Sequence, residues 1–189
     1  MKYEVLTYGN AALRKKAVPV AKVGEPIRRL AKDMLEAMYR AGGLGLAAEQ
    51  VGRAESLCVI DIPAELDSRE KGGPRDNPHI QMPLVLVNPK IVATQGEQSG
   101  QEGCLSFPEI FVAITRPYEL TVTFTGTDNR DRTETVRGLL TRAVLHEMDH
   151  LNGVLLVDRM TTIQKLTLAA RLKRLKKESK AKALAAESR

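Results

Sequence analysis

At 189 residues and 20.8 kDa, with 43% apolar and 28% charged residues, the chain has the length of one domain able to bury roughly 70% of its unfolded surface, and its composition excludes collagen-like, mucin-like and wholly disordered polymers. No run approaches the ~18 apolar residues of a membrane span, and Met1-Lys2-Tyr3-Glu4-Val5 lacks the apolar stretch of a signal peptide; with only two cysteines, Cys58 and Cys104, this points to a reducing cytoplasm and away from membranes. The formal charge of +6 is unevenly placed, because from Thr162 onward nine Lys/Arg face two Asp/Glu, leaving the body before it at −1.

After Pro26, Ile27, Leu30, Ala31, Met34 and Met38 recur at helical spacing with charged residues between them, which predicts an amphipathic helix to about Arg40, stopped by Gly42-Gly43. Residues 56–62, 84–88 and 91–94 are short β-branched runs bounded by Pro or Gly and read as strands, with the polar stretch 65–78 a surface loop. A further strand is predicted over 111–115. Residues 120–125 alternate apolar side chains with Thr, turn at 128–131 and return through 133–137, as an antiparallel hairpin does. Residues 139–152 read as an apolar-rich helix closed by Gly153. Beyond Asp158 the chain is rich in Ala, Leu, Lys and Arg, with Leu168, Leu172 and Leu175 on one stripe, and predicts a single terminal helix. Strands in the middle and helices at both ends, without β-α-β alternation, predict an α+β fold of antiparallel sheets packed around the helix 139–152.

That helix carries His146-Glu147-Met148-Asp149-His150, an HExxH motif. Two histidines four apart lie on one helical face about 6 Å apart and can reach a single metal ion, while Glu147 stands beside it where a carboxylate can take a proton from water. A catalytic site of this kind uses three protein ligands and one open position. The metzincin continuation fails, since Leu156 occupies the position where its third His belongs, and the only later glutamates, Glu178 and Glu187, lie in the basic tail. Asp158 is a weak acidic candidate; the better one is upstream, at Cys104, which sits in a Gly- and Pro-flanked polar turn rather than in an apolar run as Cys58 does. His79, in a Pro-rich loop, reads as a surface residue.

A third segment, Gly43-Leu44-Gly45-Leu46-Ala47-Ala48-Glu49-Gln50, alternates glycines so that an extended peptide could pair along its backbone, and Gln50 offers an amide donor of the kind acyl hydrolysis aims at a developing oxyanion.

GLGLAAEQ at 43–50, EGCLS at 102–106 and HEMDHLNG at 146–153 together resemble the three signature motifs of peptide deformylase, in that family's order, and the resemblance extends to about Met160. It implies a catalytic domain over residues 1–160, followed by a basic helical tail over 161–189. It implies removal of the formyl group from the N-formylmethionine of nascent polypeptides. Carried over, Cys104, His146 and His150 would hold one divalent metal ion, Fe2+ in the family, with Zn2+ or Ni2+ able to replace it. The metal would activate water toward attack on the formyl carbon. Glu147 would serve as general base and then general acid, and Gln50 with the backbone N–H of Leu105 would stabilise the oxyanion. Leu44 and Gly45 would pair with the peptide, and Leu139 would line the pocket for its methionine. The resemblance also suggests that Arg116 pairs with Asp149. The basic tail fits attraction to ribosomal RNA phosphates. An HExxH endopeptidase and an RNA-binding module with a structural metal are the rival readings.

Overall fold

Gly24 offers no side-chain cap, and Pro26 sets the first turn of helix α1 (Glu25–Arg40) in the computed structural model, which describes residues 3–70 and 72–187. Strands β1 (Gly45–Ala47), β2 (Leu57–Ile60), β3 (Leu84–Gln95), β4 (Gln98–Cys104), β5 (Phe107–Arg116), β6 (Glu119–Thr125) and β7 (Asp131–Arg137) follow, then helices α2 (Gly138–Leu151), α3 (Leu156–Arg159), α4 (Thr162–Thr167) and α5 (Ala169–Glu187). Five strands form one antiparallel sheet in the order β1-β2-β3-β6-β7, and β4 with β5 forms a separate two-stranded ribbon.

The layering follows from β2, which is buried on both faces. Side chains of a strand alternate, so Leu57 and Val59 meet Leu30, Met34 and Met38 of α1, while Cys58 and Ile60 meet Leu140, Val144 and Met148 of α2. Each such large side chain contributes roughly 1.5–3 kcal/mol on burial, so packing rather than capping holds α1 in place. A third cluster sets Phe107, Ile110, Val112 and Ile114 of the ribbon against Leu13, Leu155, Leu156 and Leu172. Helix α2 thus lies with the sheet on one side and joins the ribbon at its HExxH face, which is the antiparallel α+β arrangement expected from the sequence.

The structure departs from the sequence reading in several places, among them an unpredicted β1 and a β5 that begins at Phe107. Residues 84–88 and 91–94 belong to one strand, bent at Asn88 (φ +52°) with a register shift between Val87 and Lys90. Strand β4 was not foreseen, because Gln98-Ser99-Gly100-Gln101-Glu102-Gly103 has no apolar alternation. The stretch 65–78 is not wholly surface: Asp67 and Asn77 are buried and bonded to each other, and Asn77 also bonds both backbone groups of Arg137. The single helix predicted beyond Asp158 is two, since Thr161 caps α4 by accepting from Gln164 N–H and Leu168 leaves helical geometry before α5. α5 is laid on the body rather than free of it: Leu172 is buried, and Ser179 Oγ donates to the Thr7 carbonyl at 2.8 Å.

Candidate active site

Helix α2 carries His146 and His150 one turn apart, with ring centroids separated by 5.1 Å and His150 only 1% exposed. The ribbon brings the third group. A register shift between Gly103 and Cys104 ends the ladder of β4, and Cys104 Sγ stands 3.2 Å from His150 Nε2. One ligand atom from each of Cys104, His146 and His150 lies within 4.8 Å of the others, a sulfur and two imidazole nitrogens drawn from two elements. This donor set suits a divalent transition metal. Asp158, the weaker alternative, is engaged elsewhere, by Arg14 and by the Leu155 N–H.

The junction between ribbon and helix is ionic. Arg116 of β5, 6% exposed, donates to both oxygens of Glu102 at 2.9 Å and to Asp149 Oδ2 at 2.7 Å, so the Arg116–Asp149 pairing suggested by the sequence is present. Arg142 lies 3.2 Å from the same Glu102. Burial opposes ionisation of Glu102, but hydrogen bonds from His146 and Arg116 outweigh it and hold the carboxyl down at about 2. The ionised Glu102 therefore accepts from His146 Nδ1 at 3.2 Å, which leaves Nε2 of that ring for an ion. Burial disfavours charge on His146 too, but Cys104 and Glu102 beside it raise its pKa well above the usual imidazole value; burial, reinforced by the charges of His146 and Arg116, lowers that of His150.

Glu147 is 3% exposed, and its Oε2 has no partner among the described residues. Burial pushes it up to about 7. Its Oε1 would lie 2.3 Å from a Cβ on Gly45, so glycine is required there. Just beyond the paired ends of β1 and β2, Asp61 N–H donates to the Leu44 carbonyl, so that carbonyl is not free for a peptide as the sequence reading expected; by the alternation of an antiparallel ladder, the polar groups of Gly45 turn to the other edge of β1, which borders the cleft. Ala47 N–H donates to Gln50 Oε1 at 2.8 Å, and this orients the amide so that Nε2 faces Ser106 Oγ at 3.1 Å and Cys104 Sγ at 3.7 Å.

A cleft of about 630 Å³ opens over these groups. Leu44, Gly45, Gln50, Cys104, Leu105, Leu139, His146 and Glu147 all border it, and His150 lies behind. All nine residues singled out in the sequence are thus gathered in one region. Sequence reasoning missed Glu102, Ser106 and Arg142. Reading β4 as a strand would have placed Glu102 two residues from Cys104 and so near the same site. Glu49 is also unanticipated: it is 1% exposed, neither carboxylate oxygen has a hydrogen-bond partner among the described residues, and burial raises it to about 8. Cys58 is a buried core thiol and His79 is exposed, as expected.

A family profile described as polypeptide deformylase matches residues 2–166. The chain belongs to that family. It is 44% identical over 173 residues to a peptide deformylase of Synechococcus sp. strain RCC307, covering 91% of this chain and 79% of that one. With the Nitrosococcus oceani peptide deformylase it shares 42% over 161 residues, 85% and 88% of the two chains. Among solved structures, the Synechococcus elongatus peptide deformylase in complex with actinonin superposes with a TM-score of 0.76 at 38% identity, over 89% and 87% of the chains. The Thermotoga maritima peptide deformylase gives 0.73 at 35%, over 85% and 99%. The chain is accordingly a metal-dependent hydrolase that removes the formyl group from nascent polypeptides. No helix among the described residues is long and apolar enough to cross a membrane.

Proposed function

We propose that Cys104, His146 and His150 hold one Fe2+ ion, replaceable by Zn2+ or Ni2+, and that residues 1–160 deformylate N-formylmethionyl peptides at this site in the cytoplasm. The observation that carries the assignment is the convergence of one thiol and two imidazoles beside a buried carboxylate, one of whose oxygens has no partner among the described residues, and the cleft-facing edge of β1. The ion, when bound, supplies Lewis acidity that makes water a nucleophile at neutral pH and polarises the formyl carbonyl.

The chain's own groups do the rest. Gly45 pairs with the peptide backbone and sets its register. Leu139, with the apolar wall around it, receives the methionine side chain. Glu147, raised to about 7 by burial, takes the proton from the attacking water and returns it to the leaving amine. Gln50 Nε2 and the Leu105 N–H meet the charge that builds on the carbonyl oxygen; loss of one such donor typically costs ~10² to 10³ in rate. Glu102 holds His146 in the tautomer that leaves Nε2 free.

The decisive experiment measures anaerobic formate release from formyl-Met-Ala alongside metal content. Glu147→Gln is expected to abolish release while its metal content matches wild type. Undiminished release would remove Glu147 from the chemistry.

A second role rests on residues 161–189. The exposed face of α5 carries Lys173, Lys177 and Lys180, while the opposite stripe is docked on the body. This face suits the phosphates of ribosomal RNA, which would station the enzyme where formylated chains emerge.

A further inference from the structure

Strand β7 closes the five-stranded sheet, and the edge it turns away from β6 has no strand beside it among the described residues. The segment before β3 covers one end of that edge with side chains. Asn77 bonds both backbone groups of Arg137, and His79 Nε2 lies 3.2 Å from the Thr135 carbonyl. Because an antiparallel ladder alternates, the polar groups of Asp131 and Thr133 turn outward like those of Arg137, and both residues are exposed. The residues beside them carry opposite charges. Arg132 is exposed, and Asp128 takes one of its N–H groups at 2.9 Å, which leaves the others for a further partner. The Glu134 carboxylate has no hydrogen bond or ion pair among the described residues.

We propose that the free edge of β7 is a self-association surface, on which a second copy of this chain pairs antiparallel about a two-fold axis at Thr133 and joins two five-stranded sheets into one. Charges on an edge strand ordinarily guard it against pairing. Here they exclude the other two-fold registers along 131–135 and favour one. An axis at Asp131, Arg132 or Glu134 sets like charges face to face, and an axis at Thr135 meets the His79 cover. With the axis at Thr133, Arg132 stands opposite Glu134 of the second copy, and symmetry makes the reciprocal pair. Thr133 then exchanges both backbone hydrogen bonds with its counterpart, and Asp131 faces Thr135. So short an interface falls below the ~1,000 Å² of a stable complex, so the dimer is weak, half formed at about 0.1 mM, and loosened by salt.

The test is sedimentation velocity of the full chain from about 10 µM to about 1 mM, over which the mean mass should rise from one copy toward two. Thr133→Pro deletes an N–H that β6 does not use, and should hold the protein monomeric while leaving it folded. Arg132→Glu alone sets acid against acid, and Glu134→Arg alone sets base against base, so each should stay monomeric. Their equimolar mixture makes every facing pair opposite again and should recover the wild-type rise in mass. Melting temperatures near that of wild type, with unchanged formate release, establish that the three variants fold. A wild-type chain still monomeric at the highest concentration, a dimer that survives Thr133→Pro, or a mixture that stays monomeric would each overturn the proposal.

Discussion

Gln50 and Glu49 are neighbours with opposite fates. One end of the Gln50 amide is held by Ala47 N–H, which aims the other at Cys104 Sγ. Glu49 is buried with no side-chain partner among the described residues, and burial, partly offset by its own backbone N–H and reinforced by the charges of Glu147 and Glu55, raises its pKa to about 8. The folded chain keeps that proton through neutrality, while an unfolded chain releases it near the usual carboxylate value of about 4.3. The group's stability contribution is therefore full in acid and is lost as pH rises toward 8. Glu49→Gln should raise the melting temperature at pH 7.5 by about 5 to 10 °C, corresponding to about 2 to 4 kcal/mol, with the gap to wild type closing near pH 4.5. Equal shifts at both pH values would show that Glu49 is not held neutral. At this scale the sequence was most legible where chemistry needs a local spacing: His146 and His150 are one helical turn apart, and no tertiary contact is required to see it. Glu49 was illegible because nothing in its sequence neighbours reveals that the fold buries it.

Strand β1 matters at the scale of elements, since its three residues stand between the sheet and the cleft. A methyl at Gly45 would collide with the carboxylate of Glu147. Gly45→Ala should lower kcat/KM on formyl-Met-Ala by about 10²-fold through displacement of the base, while metal content stays at the wild-type level; retained activity would mean that Glu147 can move aside freely. Element type was readable from period wherever one face is buried, as in α1 and the β6–β7 hairpin. It was unreadable in β4, whose polar residues form a strand because β5 pairs with them and Arg116 anchors Glu102, both long-range effects. The start of α4 has a local cause, the Thr161 cap, but the Ala- and Leu-rich composition that follows masks it and the break at Leu168.

For the molecule as a whole, the separation of charge into a nearly neutral body and a basic end is borne on a helix whose apolar stripe is already in use. Ribosome association should therefore depend on the exposed lysines alone. Replacing Lys173, Lys177 and Lys180 together with Glu should abolish co-sedimentation with ribosomes at about 100 mM salt, and wild-type association should weaken steeply between about 50 and 200 mM. Salt-insensitive association would point to a different contact.

The salt-linked clasp of Arg116 with Glu102 and Asp149 joins the strand that delivers sulfur to the helix that delivers nitrogen. Because this fastening is made of protein groups alone, the fold itself holds Cys104 close to the two histidines. On the proposed assignment, binding of an ion would then fill a site that the fold has already assembled.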